Sequence, residues 1–146
     1  MPQKNDKEIK FFFPAQGITL GNRNRLKQYL KRILEKEGNR TVDYINYVFC
    51  SDDYLLDINK RYLQHDYFTD IITFDLSESS NAIQAEIYIS IDRIKDNSRR
   101  IGTTIKAELH RVIFHGVLHL CEYRDKTKRE KIKMREREGY YLENYK

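Results

Sequence analysis

Residues 83–91 dictate a sheet. Ile83, Ala85, Ile87, Ile89 and Ile91 alternate with Gln84, Glu86, Tyr88 and Ser90. Successive side chains of a strand point to opposite faces, so a period of two predicts one buried face and one polar face.

The rest of the chain supplies three more strands and the helices to cover them. Ile9 to Phe13 reads as a short apolar strand ending at Pro14, and Thr41 to Cys50 is rich in β-branched and aromatic residues. Asp70 to Leu76 is strand-like and leads into a polar loop, Ser77 to Asn81. Between these lie helical patterns. Gly21-Asn22 opens one with Leu26, Tyr29, Leu30, Ile33 and Leu34 on one face, closed by Gly38. Ser51-Asp52-Asp53 caps a second, which carries Leu55, Ile58 and Tyr62. A short helix follows from Asp92, and Thr103 or Thr104 caps the next. Lys126 to Tyr145 forms a charged final helix with Met134, Glu138 and Tyr141 along one stripe. The expected class is α+β: a mixed four-stranded sheet packed with about five helices. There is no repeat and no linker, so residues 1–146 are expected to form a single domain.

Charged residues are 34% of the chain and hydrophobic ones 40%, with a formal net charge of +5. No apolar run approaches the roughly 20 residues of a membrane span, and residues 1–7 are polar, without the apolar core of a signal peptide. Cys50 and Cys121 are far apart and make no disulfide framework. These features predict a cytoplasmic protein with no membrane partner. The positive balance suits an anionic partner such as RNA, because basic side chains release counterions from phosphates.

The helix after Thr103 or Thr104 carries the chemistry. Ile105, Leu109, Val112, Ile113, Gly116, Val117 and Leu120 fill one apolar arc, and His115, His119 and Glu108 cluster at its margin. Residues four apart on a helix are neighbours, so two imidazoles can converge on one metal ion. Asp125, just past the helix end, is a candidate third ligand, and three protein ligands leave a position open for catalysis. Glu108 is placed to hold an imidazole N–H from behind. His110 and Cys121 project elsewhere. Gly116 stands where an H-E-x-x-H metalloprotease has its glutamate, so peptide hydrolysis lacks its general base.

The run from His115 to Asp125, HGVLHLCEYRD, resembles the H-G-x-L-H-L-x-G-Y-D-H signature of the YbeY family of metal-dependent endoribonucleases. Asn59 to Phe74, NKRYLQHDYFTDIITF, is similar to the family's N-x-x-Y-R-x-x-D-x-P-T-D-V-L-S-F, and Ala85 to Ser90 to its G-D-I-x-I-S strand. The resemblance implies a single-strand endoribonuclease of rRNA maturation and ribosome quality control. Its partners would be rRNA of the small ribosomal subunit and a ribosomal protein. It also implies one divalent metal ion, zinc by expectation, on His115, His119 and Asp125.

The departures are specific. Asp125 stands where the family has a third histidine, a harder donor that favours Mn²⁺, Fe²⁺ or Ni²⁺. The family's arginine falls on Leu63, and Phe68 replaces its proline. Glu122 and Arg124 replace the glycine and aspartate of the turn after the helix. Candidate catalytic residues are Arg61, His65 and Glu108, and candidate RNA-binding residues are Lys60, Arg61, Arg124 and Lys126. The final helix, with its mixed charges, is expected to be a solvated face. The alternative is a ribosome-binding assembly factor that cuts nothing, its metal purely structural.

Overall fold

The computed structural model describes residues 8–145; the polar stretch 1–7 read above lies outside them. The chain runs β1 (Glu8–Phe12), α1 (Arg23–Gly38), β2 (Thr41–Cys50), α2 (Asp52–Ile58), a π-helical turn (Asn59–Leu63), β3 (Ile71–Asp75), β4 (Ala82–Ser90), α3 (Ile91–Ile101), α4 (Ile105–Leu120) and α5 (Lys128–Asn144). The sheet has four strands in the order β1-β2-β4-β3. β1, β2 and β4 are parallel, and β3 is antiparallel on the β4 edge. This is the mixed four-stranded α+β sheet with five helices that the periodicities predicted.

The alternation in β4 works on both faces. Ile83, Ala85, Ile87 and Ile89 are fully buried beneath α1 and α4 in the main core. The opposite face is less polar than expected. Tyr88 and Phe74 pack there against Leu55 and Ile58 of α2 and Ile72 of β3. Side-chain caps move two boundaries and decide a third. Ser90 accepts from Arg93 N and starts α3 at Ile91, which the strand pattern had claimed. Thr104 rather than Thr103 caps α4, and the capping box of Thr127 and Glu130 starts α5 at Lys128, not Lys126. Tyr62 does not join the buried face of Leu55 and Ile58. The π-helical turn rotates it outward, and it is 66% exposed. Cys50 and Cys121 are both free thiols.

α4 is buried along most of its length, and Gly116 lets it approach the sheet. A Cβ at position 116 would lie 3.0 Å from Ile87 Cδ1 and 3.3 Å from Ile87 Cγ2. Alanine there gains about 1 kcal/mol of helix propensity, but overpacking costs typically 1–3 kcal/mol. Gly116→Ala is therefore expected to destabilise by up to about 2 kcal/mol, read as a lower urea midpoint with an unchanged slope. A rise in the midpoint would show that the packing relaxes freely.

Candidate functional site

α4, β3, the loop 64–70, the turn after α4 and one stripe of α5 enclose a cleft of about 670 Å³. His115 and His119 line it from α4 and Asp125 from the turn, so the three predicted ligands share one cleft. The His115 and His119 rings are nearly parallel, at 8°, with centroids 6.3 Å apart. The turn that delivers Asp125 keeps the left-handed geometry a glycine would provide: Glu122 adopts φ 69°.

Each imidazole is anchored through Nδ1. His119 Nδ1–H donates to Tyr123 O at 3.0 Å, which leaves the lone pair of the uncharged ring on Nε2. His115 Nδ1–H donates to Glu138 Oε2 at 2.5 Å, and its Nε2 faces Asp125 Oδ2 at 3.3 Å. Burial disfavours the His115 cation, but the Asp125 and Glu138 carboxylates outweigh it and push the pKa up to about 9. The His115 hydrogen bond holds Asp125 below the usual carboxylate range against partial burial.

Glu138 also accepts from Arg111 Nη1 at 2.8 Å. Burial raises its proton affinity, yet His115 and Arg111 together bring it below the ordinary value. Arg111 in turn donates to both oxygens of Glu108, at 2.9 and 2.7 Å. Glu108 is thus spent on Arg111 and does not reach an imidazole; the partner expected on α4 is supplied by α5. Asp70 enters the cleft beside this network, 3.8 Å from Arg111 Nη2. Burial raises its pKa despite the lowering by Arg111 and His115.

The remaining candidates separate. Arg61 is exposed and pairs with Asp57 at 3.2 Å, and Lys60 pairs with Asp66 at 3.5 Å; neither lines the cleft. Arg124 lines a separate pocket with Glu37 and Cys121. Lys126 and His65 do line the cleft, and so does Leu63. Lys131 and Arg135 line it too, so one stripe of the charged final helix walls the site instead of only facing solvent. Glu138 and Asp70 were missed. The available signal for Glu138 was a carboxylate on an otherwise buried stripe, which demands a cationic partner.

Among the described residues, no three His, Cys, Asp or Glu side chains are clustered as a ready metal-ligand set. The donor chemistry nonetheless fits a divalent ion. Both Nδ1 atoms are held by outer acceptors, which is how metal-binding histidines are oriented. The Nε2 atoms and the Asp125 carboxylate are the donors left over. The His115 proton that faces Asp125 Oδ2 is the one an ion bound between them would displace.

The family model described as Endoribonuclease YbeY matches residues 16–146. A protein of Cytophaga hutchinsonii named Endoribonuclease YbeY is 47% identical over 137 residues, 94% of this chain and 95% of that protein. One from Parabacteroides distasonis with the same name is 46% identical over 114 residues, 78% and 79% of the two chains. A solution structure from Thermotoga maritima superposes with a TM-score of 0.59 at 27% identity, over 92% of this chain and 87% of that one.

Proposed function

The chain belongs to the YbeY endoribonuclease family, and from that premise we propose that its cleft cuts RNA internally during rRNA maturation, using a divalent ion held by His115, His119 and Asp125. The observation that carries this reading is the shared cleft. Two anchored imidazoles and a carboxylate stand in one wall, with Lys126, Lys131 and Arg135 around them.

A bound divalent ion supplies Lewis acidity toward a phosphodiester oxygen and makes water a better proton donor. The chain does the rest. Lys126, Lys131 and Arg135 attract and hold the phosphates of the strand. Glu138 keeps the His115 ring oriented so that Nε2 is the donor atom. Asp70, a cleft carboxyl of raised proton affinity, is suited to carrying a proton during strand scission. Arg61 and Glu108 have no part in this assignment: one points into solvent, the other is bound to Arg111.

The test is cleavage of an RNA with single-stranded segments. A chelator should stop the reaction and added Zn²⁺ or Mn²⁺ should restore it. His119 is exposed, so His119→Ala should change stability by no more than about 1 kcal/mol while abolishing both metal uptake and cleavage. Equal cutting by this variant and the wild type would overturn the assignment. RNA binding by a wild type that cuts with neither metal would establish the non-catalytic assembly factor instead.

A further inference from the structure

We propose that the stacked pair His65–Tyr67 is a platform for a nucleobase of the RNA strand in the cleft. The inference rests on the endoribonuclease reading and adds to it a contact with a base rather than with a phosphate.

The two rings lie 5.0 Å apart at 20°, with the Tyr67 hydroxyl 2.9 Å from His65 Nδ1. Both line the cleft, and Tyr67 is 56% exposed. Neighbouring exposed rings are engaged by the protein: Tyr62 meets Phe74 edge-on at 6.0 Å, and Phe68 faces the Arg93 guanidinium at 5.9 Å. The His65–Tyr67 pair is instead displayed.

The display is built, not incidental. Asn59, only 1% exposed, ties the loop down twice. Its carbonyl accepts from His65 N at 3.1 Å, and its side-chain Nδ2 donates to Tyr67 O at 2.9 Å. Gln64 takes a left-handed turn, φ 57°, to bring the chain around between these anchors. A buried residue whose backbone carbonyl holds His65 and whose side chain holds Tyr67 lowers the ordering cost of binding.

Charge complementarity identifies the occupant. Lys126, Lys131 and Arg135 line the same cleft. A flat π-surface beside a cationic groove is the arrangement that binds single-stranded nucleic acid, with phosphates on the cations and bases on the rings. Duplex RNA keeps its bases stacked on each other and offers no free face.

The sequence has no tryptophan, so Tyr67→Trp places a sole reporter in the platform. The full-length protein as purified is titrated with single-stranded oligodeoxythymidylate, which an endoribonuclease does not cut, and with an abasic strand of equal length. The base-bearing strand should quench the tryptophan and the abasic strand should not. Tyr67→Ala should weaken the base-bearing strand about tenfold and leave the abasic strand unchanged, while Tyr67→Phe should bind like the wild type. Equal quenching by both strands, or undiminished affinity in Tyr67→Ala, would overturn the platform. Because no cleavage is read, that failure would leave the proposed reaction standing, and loss of metal-dependent cleavage would leave these affinities as they are.

Discussion

Replacing Glu138 with alanine should lower the stability by about 3–5 kcal/mol and weaken metal binding about 10–100-fold. The carboxylate is 1% exposed and bridges two cations, taking Arg111 Nη1 on one oxygen and His115 Nδ1 on the other. Its removal leaves the five N–H donors of Arg111 with two remaining carboxylates, Glu108 and, at 3.8 Å, Asp70. It also frees the His115 ring to turn away from the cleft. Glu138→Gln keeps the volume and one accepting oxygen, so its losses should be smaller on both counts. Urea unfolding reads the first effect, and metal content after dialysis against limiting Zn²⁺ reads the second. An unchanged midpoint together with full metal uptake would mean that Glu138 neither supports the core nor orients His115.

The local part of this site was legible in the sequence; the part made by tertiary contact was not. A helix places residues i and i+4 together by its own geometry, so His115 and His119 followed from spacing alone. The exclusion of His110 followed as well: it packs against Phe114 and Tyr145. The β4 alternation gave a sheet because burial on one face is enough to specify it. Glu108 was misassigned because helical position says which face a side chain occupies, not which neighbour wins it. Arg111, three residues on, takes both of its oxygens. Glu138 lies 23 residues from His115, and only the packing of α5 on α4 brings them together. The same holds for Lys131 and Arg135. Their helix reads as mixed charge, and the cleft they wall exists only after α5 docks.

The arginine position shows a redistribution. Leu63 lines the cleft where the family signature has a guanidinium, and Arg61, two residues earlier, faces solvent. Two other guanidinium groups line this cleft, Arg111 from α4 and Arg135 from α5, and Arg111 is the one bound to the carboxylates behind the histidines. Arg111 is held by Glu108 and Glu138 and largely buried, with its charge secured by those carboxylates. Its place is to fix Glu138, and through it His115, rather than to meet substrate as a free cation. The charges proposed to bind phosphate are then Lys126, Lys131 and Arg135, which line the same cleft.

Asp125→Ala should abolish metal-dependent cleavage while leaving the fold nearly as stable as the wild type. The Asp125 side chain is 42% exposed, and its pairing with His115 at 3.3 Å is partly screened by water. An ion pair of that kind contributes at most about 1 kcal/mol, so the stability change should stay within that figure. The metal should suffer far more. Loss of a direct donor exceeds the about 10–100-fold that loss of an outer partner costs, and the two imidazoles alone leave the ion weakly held. Asp125→His then distinguishes ligand identity from ligand number. It restores the three-imidazole set of the family signature, so it should recover metal uptake but shift preference away from Mn²⁺ toward Zn²⁺, because imidazole is the softer donor. Metal competition under dialysis reads the preference, and cleavage with each ion reads its consequence. Undiminished cleavage in Asp125→Ala would remove the carboxylate from the ligand set. Equal Mn²⁺ and Zn²⁺ preference in wild type and Asp125→His would show that this position does not choose the metal.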